Sequence, residues 1–361
     1  MRRTAALIVG GGPAGAAAAI TLARGGRPHL LVERSPETGD ALCGGFLSWR
    51  SLATLAGVGI AADALNPVTI DRVRLFAGSR VREARLPGAG LAVSRRRLDR
   101  LLIEQAVKAG ARIERGVTVR DIADGSVRLA DGTGIAAPTI FLASGKHDVR
   151  GMARPAGAWG ADPTLGLRVR IAASPRLAAA VRGVVELHLF RGGYAGLALQ
   201  EDGSANLCMA VHRSRLTAAG DPIALIARLG EELPALGERL ADWDRSSPVD
   251  AVANVPYGWR ATIGAAGTYR LGDQAAVIPS LAGEGMGIAL ASGISAATHY
   301  LRHGGTDADG WQRGFAARAA RPVALAGIVR RIAEGPAAAP SLALLPPGLI
   351  AIVARLTRID H

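Results

Sequence analysis

The fold is decided near the N-terminus, where residues 5–33 read AALIVGGGPAGAAAAITLARGGRPHLLVE. Residues 5–9 form a continuous apolar run closed by glycines, a pattern typical of a buried parallel strand. Residues 13–26 are rich in alanine and end at a pair of glycines, which predicts a helix. A second apolar run follows at 29–33. The stretch therefore predicts a β-α-β unit of about 30 residues.

The glycine spacing in this unit is that of a dinucleotide-binding turn. Gly10 permits a tight turn, Gly12 lets the backbone approach a pyrophosphate, and Gly15 lets helix and strand pack closely. The start of the helix favours an anion, and Glu33 is placed to accept the ribose hydroxyls of an adenosine. A carboxylate there would repel the 2′-phosphate of NADP. The contacts predicted in this unit are Gly10, Gly12, Pro13, Ala14, Gly15, Glu33 and Arg34.

Charge and composition exclude several classes of function. The net charge is +13, but only Lys108 and Lys146 of the 43 basic residues are lysines, and the arginines are scattered. Aromatic residues make up 4% of the chain, too few for a nucleic-acid stacking platform. We expect no nucleic-acid partner. The basicity instead suits an anionic cofactor, substrate or membrane surface.

Two cysteines, Cys43 and Cys208, are too few for a disulfide framework, and no cluster has metal-ligand spacing. We therefore expect a reduced, cytoplasmic setting and no metal. Residues 1–23 imitate a signal peptide, but the glycines at 10–12 interrupt the apolar run, and we interpret it as folded core.

Residues 165–212 read as successive antiparallel strands. The predicted organisation is a discontinuous nucleotide-binding domain (1–70, 93–155 and 265–330), an inserted antiparallel substrate domain (71–92 and 156–264) and a helical C-terminal segment (331–361).

A second motif identifies the dinucleotide. Asp273 is followed by Pro279 and then by Gly283-Glu284-Gly285-Met286-Gly287, which opens an alanine-rich helix. This resembles the second FAD fingerprint of the glutathione-reductase-type flavoproteins, in the branch that contains p-hydroxybenzoate hydroxylase and geranylgeranyl reductase. The resemblance implies an α/β Rossmann-type FAD-binding fold. It also implies that Asp273 binds the ribityl chain, and that Pro279, Gly283, Gly285 and Met286 lie along the isoalloxazine.

Other segments resemble the same family. Ser94-Arg95-Arg96-Arg97-Leu98-Asp99 is similar to its R-x-x-L-D segment, which implies that Arg95 meets the FAD phosphates; a solvated, basic helix start is the alternative. Val119 falls where the family's backbone touches adenine. At the position of the Asp-Gly motif of the flavin hydroxylases, this sequence has Ser144-Gly145. The aspartate is missing, which argues against NAD(P)H binding of the hydroxylase kind. Lys146-His147-Asp148 resembles a small bacterial group linked with phenolic-lipid and polyketide tailoring in secondary metabolism.

Three residues are candidates for catalysis: Cys43, His147 and Tyr194. Cys43-Gly44-Gly45 resembles a loop of geranylgeranyl reductases near the reactive face of the flavin, and Tyr194 lies in a segment similar to that family's Gly-Tyr strand. Cys43 has three open interpretations: a small packing residue, an active-site thiol, or a covalent flavin link. His147 is either a satisfied loop histidine or an acid or base.

We expect an FAD-dependent oxidoreductase, foremost a monooxygenase that hydroxylates a small apolar, aromatic, polyketide or lipid-like substrate. A flavin-dependent reductase of carbon–carbon double bonds is the first alternative, and a flavin-binding protein without turnover is the second. NAD(P)H or another reductant would supply electrons.

The C-terminus carries a separate expectation. Residues 335–354 are uncharged and precede Arg355 and Arg358. The length matches the ~20 residues of a spanning helix, but four prolines argue against one. Two interpretations stay open: a short helix that folds back over the domain interface, or an apolar surface segment that contacts the inner face of a membrane.

Overall fold

The computed structural model describes residues 2–123 and 125–359. The strands are β1 (Arg2–Arg3), β2 (Ala6–Val9), β3 (Leu30–Glu33), β4 (Phe46–Leu47), β5 (Thr69–Ala77), β6 (Arg80–Ala92), β7 (Arg112–Arg115), β8 (Val119–Ala123), β9 (Ser126–Leu129), β10 (Gly134–Ala136), β11 (Thr139–Leu142), β12 (Thr164–Ile171), β13 (Val184–Phe190), β14 (Gly193–Leu199), β15 (Ala205–His212), β16 (Asp250–Val255) and β17 (Thr268–Arg270). The helices are α1 (Pro13–Arg24), α2 (Trp49–Gly57), α3 (Ala62–Leu65), α4 (Arg95–Lys108), α5 (Pro175–Val181), α6 (Arg213–Ala219), α7 (Pro222–Glu232), α8 (Pro234–Leu240), α9 (Gly285–His303), α10 (Ala308–Ala333), α11 (Ala338–Leu344) and α12 (Pro347–Leu356).

A parallel sheet in the order β17-β11-β2-β3-β7 forms the nucleotide-binding part. β2 and β11 are four-residue strands buried along their whole length and apolar except for Thr139, as a parallel sheet covered on both faces requires. Helices α1 and α9 pack so closely that a Cβ added at Gly293 would collide with the Ala14 carbonyl. The strands end at one edge, where Gly10, Arg34 and Ala143 follow them, and this edge is where open α/β sheets bind ligands. A smaller sheet, β1-β10-β9-β8, adjoins this part.

The third sheet has the order β16-β12-β15-β14-β13-β5-β6-β4. It is antiparallel as predicted except at β5 and β13, which pair in parallel with Arg72 opposite Val184. The exception arises because the β5–β6 hairpin comes from an earlier, separate segment of the chain. One face of this sheet packs against α5, α7 and α8, through side chains such as Leu167 and Leu229. The fold is thus the predicted Rossmann-type FAD-binding fold with an inserted β-sheet domain and a helical C-terminus.

The C-terminal helices fold back onto the β5–β6 hairpin. Leu342 of α11 packs with Ala77 of β5, and Ile350 of α12 packs with Val73. Ile359 is fully buried in the main core. Across residues 2–123 and 125–359 no single helix combines the length and apolar character needed to cross a membrane. Residues 338–344 and 348–356 meet that criterion only as a pair bent by 114°.

Candidate functional site

One cavity of about 1320 Å³ runs from the parallel sheet to the large mixed sheet. We call the part at the edge of the parallel sheet the groove; its lining includes Gly12, Glu33, Arg95 and Asp273. We call the remainder the chamber. The chamber is lined by Leu75, Val185, Leu187 and Tyr194 of the mixed sheet and by Leu342, Leu345, Leu349, Ile350 and Val353 of α11, α12 and the turn between them, which form its roof.

The glycines after β2 have the geometry of a phosphate-binding turn. Gly10 has a φ of +106°, and a Cβ added there would lie 2.5 Å from the Ala143 carbonyl oxygen. A Cβ at Gly15 would collide with the carbonyl oxygen of Gly10. At Gly12 an added Cβ would lie 3.3 Å from Nη2 of Arg95, so backbone and guanidinium face the same space at the N-terminus of α1. Backbone N–H groups, a helix dipole and a cation together favour a pyrophosphate here.

Arg95 is held in place by Asp99. Two charge-assisted hydrogen bonds join them, Nε to Oδ1 at 2.8 Å and Nη2 to Oδ2 at 2.7 Å. The side chain of Arg95 is only 17% exposed, which disfavours the alternative of a solvated helix start. Burial alone would lower the pKa of Arg95, but the carboxylate of Asp99 more than offsets this and raises it. Arg95 therefore stays cationic beside Gly12.

Glu33 ends β3 and braces the glycine turn. Its Oε2 accepts a hydrogen bond from the Gly11 N–H at 2.7 Å, and its Oε1 accepts one from the Ser35 N–H at 2.9 Å. The next residue, Arg34, places Nη2 2.9 Å from Nε2 of His147. Burial, and then the charge of Arg34, lower the pKa of His147. The imidazole is consequently neutral, with Nε2 as the acceptor.

Lys146, for which the sequence motifs predicted no role in cofactor binding, pairs with the predicted ribityl ligand. Lys146 Nζ lies 3.0 Å from Oδ2 of Asp273. Asp273 raises the pKa of Lys146; burial alone would raise the pKa of Asp273, but the charge of Lys146 more than offsets this and lowers it. Arg154 donates to the carbonyls of Gly145 and Asp273 at 2.8 and 2.9 Å, and so ties the loop after β11 to the Asp273 turn.

The groove fits an extended FAD. A Cβ added at Gly44, Gly145 or Gly285 would meet no atom within 4 Å, so backbone from three segments faces open space. The N-termini of α1 and α9 both reach the groove, which suits a ligand with one anionic region at each. The residues present thus match a dinucleotide whose pyrophosphate lies at one helix N-terminus and whose electron-rich ring system lies at the other.

Cys43 and Tyr194 lie where the groove meets the chamber. Sγ of Cys43 accepts a hydrogen bond from the Gly45 N–H at 3.4 Å, and its carbonyl accepts one from Asn206 at 2.9 Å. These contacts agree with a packing role; the thiol and covalent-link interpretations stay predictions. Cys208 also lines the cavity, and burial raises its pKa to about 12. Both cysteines are unpaired.

Tyr194 belongs to a chain of hydroxyl groups. Its phenol oxygen is 2.6 Å from Oγ of Ser280, which is 2.7 Å from the hydroxyl of Tyr257. The Leu281 N–H donates to the Tyr194 oxygen at 3.0 Å. Burial, and then the neighbouring Tyr257, raise the pKa of Tyr194 well above its usual value. Tyr194 is therefore a neutral phenol with a hydrogen-bonded route to a second one.

The cavity brings together nearly all the predicted residues, although their roles as contacts stay predictions. Those that line it are Gly10, Gly12, Pro13, Ala14, Glu33, Arg34, Cys43, Gly44, Arg95, Val119, Gly145, His147, Tyr194, Asp273, Gly283, Gly285 and Met286. Gly15 packs behind the turn, and Pro279 lines a second cavity of about 550 Å³. Lys146, Tyr257 and Ser280 line the main cavity and were not predicted. A signal existed for Lys146, since lysine is rare among the 43 basic residues.

Known proteins resemble this chain in sequence and in fold. Residues 3–150 match a family model described as an FAD binding domain. A menaquinone reductase of Mycolicibacterium smegmatis is 28% identical over 84% of this chain and 78% of its own length. Digeranylgeranylglycerophospholipid reductase 2 of Methanopyrus kandleri is 27% identical over 80% of this chain and 74% of its own length.

Among solved structures, that of pqsL, a probable FAD-dependent monooxygenase from Pseudomonas aeruginosa, superposes with a TM-score of 0.71. It is 18% identical and covers 95% of this chain and 100% of its own, a likeness that shows the fold alone. The family match, the relatives and the fold agree with the glycine turn and the groove. Residues 3–150 thus form an FAD binding domain, and the chain is an FAD-dependent oxidoreductase similar in sequence to a menaquinone reductase and a digeranylgeranylglycerophospholipid reductase.

Proposed function

We propose that the protein is a flavin-dependent reductase that saturates a carbon–carbon double bond in a long apolar molecule such as an isoprenoid lipid. The observation that carries the proposal is the chamber, which continues the groove and has an apolar wall and roof. Leu75, Val185 and Leu187 form the wall, and Leu342 and Ile350 belong to the roof. An extended hydrocarbon would bury these side chains, whereas a polar substrate would not.

The relatives support reduction as the first candidate. Both proteins that align with most of this chain are named reductases, and one is named for a lipid with geranylgeranyl chains. The missing aspartate of the hydroxylase motif agrees with this, since Ser144 instead donates its hydroxyl to the His147 carbonyl at 2.7 Å. The sequence motifs placed hydroxylation first; we place it second, with the enclosed chamber as its support, because oxygen-dependent flavin chemistry also needs water excluded.

Saturating a double bond consumes one hydride and one proton. FAD, when bound and reduced, supplies the hydride to one carbon. We assign the proton for the other carbon to Tyr194, a phenol that is protonated at neutral pH, lines the chamber and is hydrogen-bonded to Ser280. Ser280 and Tyr257, at successive oxygen distances of 2.6 and 2.7 Å, return a proton to the resulting phenolate. Arg95, Glu33 and the Lys146–Asp273 pair hold the cofactor in the groove.

Anaerobic turnover of the reduced holoenzyme tests the proposal. Lipids with geranylgeranyl chains, or menaquinone, are mixed with enzyme reduced by dithionite, and the product is analysed by mass spectrometry. A gain of two hydrogens with reoxidation of the flavin supports reduction. A product that appears only with oxygen and gains one oxygen atom supports hydroxylation instead. Reduction of the flavin by NADH or NADPH, followed by its absorbance, identifies the reductant; a flavin that no partner reduces or reoxidises supports the non-catalytic alternative.

We also propose that the outer surface of the roof contacts an anionic membrane. Leu344 and Ile352 are exposed by 85% and 50% and do not line the chamber, although other residues of the same helices do. Arg355 is also exposed, and exposed apolar residues beside arginine are what an anionic bilayer surface binds.

Sedimentation with phosphatidylglycerol vesicles tests this contact. Wild-type protein should sediment, and the double substitution Leu344→Ser and Ile352→Ser should reduce binding about tenfold. A matched control is Ile263→Ser, which removes an isoleucine that is 81% exposed outside the roof. Wild-type protein that stays in the supernatant would exclude the contact.

A further inference from the structure

A buried carboxylate lies at the N-terminus of α9, beside the groove. Glu284 is fully buried. Its Oε2 accepts a hydrogen bond from Nη1 of Arg358 at 2.7 Å, and its Oε1 accepts one from the Ile359 N–H at 3.2 Å. The hydroxyl of Ser48 lies 3.5 Å from Oε2. Unlike Asp273, which pairs with Lys146, Glu284 obtains its cation from the segment that follows α12.

Arg358 reaches this position from just beyond the roof helices. It follows α12 by two residues, and its side chain is only 3% exposed. Nη1 also donates to the Ala282 carbonyl at 2.7 Å, and the guanidinium lies 5.2 Å from the ring centroid of Trp49. Arg358 lines the cavity, and its buried Nε has no hydrogen-bond partner among the described residues. The chain segment that roofs the chamber is thereby fastened to the loop that begins α9.

The charge of Glu284 opposes the use of this helix terminus for an anion. A helix N-terminus carries roughly half a positive charge, and Gly283 and Gly285 expose that terminus to the groove. An unpaired carboxylate between these glycines would cancel the attraction. Paired with Arg358, Glu284 leaves the terminus positive toward the groove.

We infer that Arg358 is a positioning residue of the cofactor site, which acts through Glu284 to keep the α9 terminus favourable to the anionic reduced flavin and fastens the roof as it does so. The inference rests on FAD binding in the proposed function, and not on which reaction follows. The charged groups that face Glu284 are Arg358 and, at longer range, Arg50. Burial raises the pKa of Glu284, and Arg358 opposes that rise.

Flavin midpoint potentials test the inference without any substrate. In Arg358→Gln the unpaired Glu284 charge should lower the equilibrium constant for two-electron reduction at least tenfold, a potential about 30 mV lower. The loss should shrink as the pH falls, because protonation of Glu284 removes the charge. Glu284→Gln alone should shift the potential in the opposite direction, and the double variant should return it to near the wild-type value. Arg355→Gln, an exposed arginine three residues earlier, is the matched control and should leave the potential unchanged.

One further readout, tryptic cleavage, separates charge from packing and does not depend on activity. The apoprotein of Arg358→Gln should be cut by trypsin at the exposed Arg355 about tenfold faster than wild type, because the roof is no longer fastened. The double variant should keep this fast cleavage although its potential is restored. A double variant whose potential stays with that of Arg358→Gln would overturn the inference, as would unchanged potentials in both single variants. If Arg358→Gln does not fold, Glu284→Gln and Arg358→Lys provide the test. A midpoint potential that rises in Glu284→Gln and stays at the wild-type value in Arg358→Lys supports the inference. An unchanged potential in Glu284→Gln overturns it.

Discussion

The groove and the chamber share one cavity but are built in opposite ways. The groove is made largely of backbone, and its decisive turn lies within residues 10–15, next to Glu33 in space. The chamber is made of side chains from β5, β13, β14 and the roof helices, which are far apart in sequence. A phosphate turn needs an exact local spacing of glycines, whereas an apolar wall needs only alternation, which many sequences provide. The groove should therefore tolerate almost no substitution, and the chamber many.

The largest effect should follow from adding one methyl group behind the groove. In Gly15→Ala the new Cβ would collide with the Gly10 carbonyl oxygen, which fixes the shape of the turn. We expect FAD affinity to fall at least 100-fold, measured by flavin fluorescence on titration of the apoprotein. Gly57→Ala is the control, because Gly57 is exposed and an added Cβ meets no atom within 4 Å there. A Gly15→Ala protein that purifies with a full complement of flavin would show that the groove tolerates substitution as the chamber does.

The groove could be predicted from sequence for the same reason that it should tolerate almost no substitution. Gly10, Gly12 and Glu33 carry their roles through backbone position and strand order, which local spacing encodes. The parallel pairing of β5 with β13 was not predictable, since it joins segments whose meeting depends on the whole fold. The roles of Lys146 and Arg358 were not predicted, because local spacing does not show which distant carboxylate a basic side chain meets. Their importance comes from Asp273 and Glu284, which lie far away in sequence.

The next effect should separate chemistry from cofactor binding. Tyr194→Phe removes the proposed proton donor and keeps the ring that lines the chamber. Turnover should fall about 100-fold, within the usual range for a general acid, while FAD affinity changes less than twofold. The measurement is the rate at which substrate reoxidises the reduced enzyme without oxygen. Tyr257→Phe should cost less, since it interrupts only the supply of protons. Equal rates for wild type and Tyr194→Phe would remove Tyr194 from the mechanism.

A smaller effect, on stability, should follow from a substitution in the sheet that lines the chamber. This substitution leaves the groove unchanged. Glu186 of β13 is fully buried and binds Arg74 of β5 at 2.9 Å and Arg239 of α8 at 3.1 Å. Burial alone would raise its pKa, but hydrogen bonds from His188 and Arg239 lower it to about 2. The stabilisation is therefore complete above pH 4.5 and is lost as the pH falls from 4.5 to 2.

Glu186→Gln should lower the free energy of unfolding by about 3 kcal/mol at pH 7, the value of a shift of this size. The difference from wild type should vanish as the pH approaches 2. Urea unfolding followed by circular dichroism at several pH values measures both. Glu83→Gln is the control, because Glu83 binds the same Arg74 at 2.8 Å from a half-exposed position, and it should cost less than about 1 kcal/mol. If the loss of unfolding free energy in Glu186→Gln does not vary with pH, then packing, and not charge, stabilises this part of the sheet.

The smallest effect should come from His147, the candidate acid or base that lies in the groove. Nε2 accepts a hydrogen bond from Arg34, and burial and Arg34 lower the pKa of the ring, which favours its neutral form. A group that stays neutral and already accepts a bond from a cation is poorly placed to donate a proton. His147→Gln keeps an acceptor for Arg34, and we expect turnover within threefold of wild type at every pH from 6 to 9. Initial rates across that range give the test. A tenfold loss that follows a single ionisation would restore His147 as an acid or base and make the groove, and not the chamber, the source of the proton.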